Sequence, residues 1–82
     1  MNKKKLLLVV MNGSKNVSFN DFVRLIESFG FKLHRTNGSH RIYKHPYVVE
    51  LLSIQNVKGE AKPYQVNEFL GYVDQYNLQM ED

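Results

Sequence analysis

Hydrophobic and polar positions divide the chain into blocks separated by clear punctuation. Residues 4–11 form an apolar run behind a basic start, closed by Asn12-Gly13-Ser14. The run has no clear period and could be strand or helix; we read a short helix. Ser18 followed by Asp21 resembles a capping box. It opens a helix over residues 19–29, where Phe19, Phe22, Leu25, Ile26 and Phe29 recur at spacings of three and four before Gly30 stops it. Residues 31–36 and 39–45 each alternate apolar with polar around Asn37-Gly38, which predicts a β-hairpin ended by Pro46. Residues 47–55 read as a third strand and residues 56–62 as a polar loop. Pro63 then starts a helix over residues 63–76, with Val66, Phe69, Leu70, Val73 and Tyr76 on one face.

The predicted order is helix, three-stranded antiparallel meander, helix, plus a short N-terminal segment. This is an α+β sandwich: two amphipathic helices cover one face of the sheet and leave its other face and the hairpin tip free. The two helical apolar stripes are core, with no cofactor implied. At 82 residues the chain is expected to form one domain, with its core over about residues 17–78.

Composition narrows the function. Apolar residues are 43% and charged residues 23%, ordinary globular usage. Cysteine is absent, which excludes thiolate metal sites and thiol nucleophiles and points to a reducing cytoplasm. Lys3-Lys4-Lys5 before the apolar run imitates a signal peptide. Six apolar residues, however, fall short of the ~7–15 of such a segment, and a membrane span needs about 20. A soluble protein without membrane contact is therefore expected. The net charge of +3 hides an asymmetry: residues 1–46 carry nine basic and two acidic side chains, residues 47–82 two basic and six acidic. A basic field of this kind favours phosphate-bearing partners.

The densest chemistry lies in Gly38-Ser39-His40-Arg41-Ile42-Tyr43-Lys44-His45-Pro46. Histidine exchanges a proton near neutral pH, and neighbouring cations can hold phosphate and offset developing charge. RNA supplies its own nucleophile in the 2′-hydroxyl, so phosphodiester cleavage by such a group needs neither a covalent side chain nor a metal. Strict alternation places His40 with Ile42 on the helix-covered face, opposite Arg35, and turns Ser39, Arg41, Tyr43 and His45 outward. If the helices stop short of the turn, His40 stands in solvent. A metal site from His34, His40, His45 and Glu50 is not expected, because the three histidines do not converge. Asp21 and Glu27 do not form a carboxylate pair either. Lys58 and Lys62 precede a helix N-terminus, a corner suited to anions.

The hairpin, together with Phe29-Gly30-Phe31 before it and Lys62-Pro63-Tyr64-Gln65-Val66 after it, resembles the HicA family of toxins. The resemblance covers about residues 17–78. It implies a fold like a double-stranded-RNA-binding domain, messenger-RNA cleavage without a cofactor, and a HicB-like antitoxin partner. In that family the catalytic histidine follows the glycine-serine turn, which corresponds to His40. Many members carry two successive histidines there, whereas this chain has His40-Arg41, so the match alone leaves open which position carries catalysis. Gly38, Ser39, Arg35, Arg41, Tyr43, Lys44, Lys58 and Lys62 are the candidate RNA contacts. A non-catalytic RNA-binding module of the same fold and a protein-interaction adaptor are the competing readings. RNA binding that survives His40→Ala while cleavage disappears separates the enzyme from the module.

Overall fold

The computed structural model describes residues 2–13 and 16–81; Ser14, the last residue of the first predicted stop, lies outside them. Its elements are α1 (Lys3–Met11), α2 (Phe19–Ser28), β1 (Lys32–Asn37), β2 (His40–His45), β3 (Val48–Gln55) and α3 (Pro63–Gln75). The strands form an antiparallel sheet in the order β1-β2-β3. This is the predicted α+β sandwich, with boundaries within one residue of those read from the sequence from α2 onward.

Local chemistry explains each helix. Asn2 caps α1, its Oδ1 accepting from the Lys5 amide at 2.8 Å. Leu6 and Val10, one turn apart, are buried against the core, and α1 packs on α2. Ser18 Oγ accepts from the Asp21 amide at 3.0 Å. The Asp21 carboxylate lies 3.8 Å from Arg24, so the serine half of the capping box is the half that forms. At the other end Gly30 adopts φ +96°. Its N–H donates to Glu27 O at 3.0 Å and that of Phe31 to Ile26 O at 3.2 Å, a Schellman stop. Among the described residues no helix is long and apolar enough to cross a membrane.

The core lies between the helices and one face of the sheet. Phe69 of α3 is its centre, packing edge-on to Phe22, Phe29 and Phe31 at centroid distances of 5.8, 5.4 and 6.1 Å. The sheet contributes Tyr43, Val48, Leu52 and Ile54.

That face of β2 is the opposite of the one predicted. Tyr43 and His45 are buried at 1% and 7% exposure, while His40 is exposed and Ile42 lies outside the core cluster. Two local features set the register, and the second of them causes the reversal. The hairpin closes on the Asn37–His40 pair, so its loop is Gly38-Ser39 with φ +64° at Gly38, one residue later than the predicted Asn37-Gly38 turn. In addition, Leu33 pairs with Tyr43 but Arg35 pairs with Ile42, which makes His34 the extra residue of a β-bulge. One extra residue exchanges the faces of everything beyond it. Arg35 is therefore opposite Ile42, and His40 is opposite Asn37 on one side and Gln55 on the other.

Candidate functional site

The His45 end of β2 is structural. Its Nδ1 accepts from the Tyr47 amide at 3.1 Å, which leaves the ring proton on Nε2 to be donated to Phe29 O at 2.8 Å. The Phe31 ring packs against the imidazole at 5.0 Å. Gly30 lets the ring come close, since a Cβ there would sit 3.0 Å from His45 Nε2 and against the Glu81 carboxylate. Phe29-Gly30-Phe31 and His45-Pro46, two separate motifs in the sequence, are thus one packed unit. Tyr43 is enclosed in the same core, so this predicted RNA contact does not reach the surface.

The other end of β2 is open. Gly38, Ser39 and His40 are all exposed at the hairpin tip. His40 Nδ1 lies 3.3 Å from Ser53 Oγ. Gln55 Nε2 donates to Ser39 Oγ at 2.9 Å, while the Gln55 amide donates to Oε1 of buried Gln65 at 3.3 Å. The start of α3 therefore fixes the end of β3, and β3 in turn supports the turn and the histidine. Among the described residues no side chain hydrogen-bonds to His40 Nε2. The hydroxyl of Ser53 can accept from Nδ1–H or donate to a bare Nδ1, so it can hold the ring in either tautomer.

The predicted cations fall into two groups. Arg41 lies on the helix-covered side of β2 with its guanidinium 5.2 Å from the centre of the Phe19 ring. The loop carrying Lys58 and Lys62 is tied to the same region, because the Phe19 amide donates to Gly59 O at 2.8 Å and the Ala61 amide to Val17 O at 3.0 Å. Lys62 is the N-cap of α3 and makes no side-chain capping bond. Arg35 and Lys44 belong to the opposite, helix-free face, where Lys44 faces Lys32.

The histidines do not come together: His45 is inside, His34 is on the bulge and His40 is at the tip. Glu50 accepts a hydrogen bond from the Tyr76 hydroxyl, which holds that phenol above its ordinary pKa. Among the described residues no group of three His, Asp or Glu side chains is placed to hold a metal ion. Sequence reasoning did not single out Lys32, which pairs with Lys44, or Ser53 and Gln55, which touch the hairpin tip. The signal for the last two was their alternation with Leu52 and Ile54, which puts them on the face of β3 away from the core once those two are recognised as buried.

Comparison with curated proteins and with solved structures returns no match. The family model described as HicA toxin of bacterial toxin-antitoxin matches residues 19–73, from the first residue of α2 to the third turn of α3 and two thirds of the 82-residue chain. With the sandwich and the Gly38-Ser39-His40 turn it matches, this places the chain in the HicA toxin family.

Proposed function

We propose that this chain is the toxin of a type II toxin-antitoxin pair and cleaves messenger RNA in the cytoplasm as a metal-independent endoribonuclease, with His40 as its general acid/base. The observation that carries this reading is the setting of His40: exposed at the hairpin tip, with Nδ1 beside Ser53 and Nε2 free, in a chain of the HicA family. Nε2 takes the proton of the RNA 2′-hydroxyl as that oxygen attacks phosphorus. The bond from phosphorus to the 5′-oxygen breaks, and the protonated imidazole returns a proton to that leaving oxygen. Ser53 accepts from Nδ1–H throughout and holds the ring in one orientation. Gly38 and Ser39 bring backbone and hydroxyl groups to the phosphate. Arg35, Arg41, Lys44, Lys58 and Lys62 supply positive charge for the RNA.

The test is purified His40→Ala beside the wild-type chain. A positioned general acid or base contributes about 10²–10⁴ in rate, so cleavage and growth arrest disappear while far-UV circular dichroism and RNA affinity stay close to wild type. Cleavage persists in chelator. Full activity in His40→Ala sinks the assignment, and activity that requires Mg²⁺ sinks the metal-free mechanism. Wild type that binds RNA and never cleaves it is a binding module.

An unrestrained ribonuclease harms its own cell, so the reading includes a HicB-like antitoxin that covers the hairpin tip with acidic or apolar surface. Co-expression with the neighbouring gene yields a stable complex without cleavage, and removal of the antitoxin restores it. A neighbour that binds tightly yet leaves cleavage unchanged rules out neutralisation by occlusion.

A further inference from the structure

The helix-free face of the sheet carries an arrangement that folding alone does not favour. Tyr43 points into the core, so its neighbours Ile42 and Lys44 face the other way, together with His40. The β1 partners on that face are Arg35, opposite Ile42, and Lys32, opposite Lys44. On β3 the positions alternating with Leu52 and Ile54 are Leu51, Ser53 and Gln55. None of these is acidic, and the single ion pair among the described residues, Arg24 with Asp21, is on α2. Like charges directly opposed across two strands cost stability. Lys32 and Lys44 are such a pair, with no acid on that face to relieve them.

We propose that this face is the track for a single strand of RNA, with Lys32, Arg35 and Lys44 holding successive phosphates and leading the backbone to His40. The inference rests on the reading of the chain as an RNA-cleaving toxin, and it adds a path, a strandedness and a residue, Lys32. The four steps from His40 to Lys44 span about 13 Å at ~3.3 Å per residue, a short run of extended backbone. A duplex presents two backbones across a groove and is met by several elements at once; this face offers one small cluster of cations and no protruding helix. Its centre is Ile42, 8% exposed, and Leu51, 42% exposed, with no aromatic ring for base stacking among the strand positions named. Recognition is therefore of the backbone and tolerant of sequence.

The experiment uses the full chain carrying His40→Ala, so that RNA survives, and a short fluorescein-labelled single-stranded RNA read by anisotropy over a salt series. Adding Lys32→Gln with Lys44→Gln lowers affinity about tenfold and cuts the slope of log K against log salt by about 1.4, at ~0.7 per lost phosphate contact on a single strand. Unchanged affinity and slope overturn the proposal. So does a loss confined to Lys58→Gln with Lys62→Gln, which would place the RNA at the start of α3, or tighter binding of a duplex through the same lysines. If the sheet variants keep RNA affinity and lose the antitoxin, the face is a protein interface and the proposal falls. Cleavage by the wild-type chain is scored separately: a chain that never cleaves, but whose RNA affinity depends on Lys32 and Lys44, refutes the enzyme reading and leaves the track standing.

Discussion

The two histidines at the ends of β2 are the same side chain in opposite surroundings. His45 is 7% exposed and has both ring nitrogens engaged, one by the Tyr47 amide and one by Phe29 O. His40 is exposed, touches Ser53 through one nitrogen and keeps the other free. An imidazole with both nitrogens committed to backbone is a structural rivet, because any proton it moved would break a bond that holds the fold. One with a single partner keeps a nitrogen that the fold does not use. The difference also separates the faces of β2, since the side that builds the core carries Tyr43 and His45 while the side with His40 and Lys44 contributes little to it.

Breaking the inner side should have the largest effect. Tyr43→Ala removes a side chain 1% exposed within the core. Truncating a buried aromatic costs roughly 3–5 kcal/mol, against a total stability of about 5–15 kcal/mol for a small domain. Denaturant unfolding is expected to show a midpoint lowered by a large fraction or no cooperative transition. A loss below about 1 kcal/mol would mean that Tyr43 is not a core residue.

The histidines sharpen the contrast. His45→Ala leaves Phe29 O and the Tyr47 amide without partners and opens a gap beside Phe31, for a loss of roughly 2–4 kcal/mol. His40→Ala is expected to change stability by no more than about 0.5 kcal/mol. Urea unfolding of both variants is the check, and equal losses would erase the distinction. Gly30→Ala comes next. Its φ of +96° disfavours any Cβ, and the added methyl would press on His45 Nε2 from 3.0 Å. Strain and crowding together suggest about 1–3 kcal/mol, read as a lowered Tm, whereas an unchanged Tm would show that the two motifs are not coupled.

Most of this fold was legible in the sequence because it is written in local signals: the Ser18 cap, the Gly30 stop, the turn and Pro63 each act within a few residues. The faces of β2 were not. Ile42 and Tyr43 are adjacent and both large and apolar, so alternation alone could not say which points inward. The answer depends on a bulge at His34, which carries no glycine to announce it. His40 was singled out by its place after the turn, whereas its contact with Ser53 and the pairing of Lys32 with Lys44 were hidden because they arise between strands. The roles of His45 and Tyr43 were misread for the same reason.

The smallest predicted effect runs against the usual direction for a mutation. Lys32 and Lys44 are opposed across β1 and β2 on the exposed face, and Lys44→Glu turns that repulsion into an attractive cross-strand pair. Such pairs contribute roughly 0.2–1 kcal/mol, so the variant should be more stable than the natural chain, with Tm raised by a few degrees in low salt. The gain should shrink as salt is added, because both side chains are exposed and the interaction is screened over about 10 Å at 0.1 M. RNA affinity should fall in the same variant, since a carboxylate now stands where a phosphate would lie. A variant no more stable than wild type in low salt would show that the two lysines do not strain the sheet. Greater stability with undiminished RNA binding would show that the strain is real and serves something other than RNA.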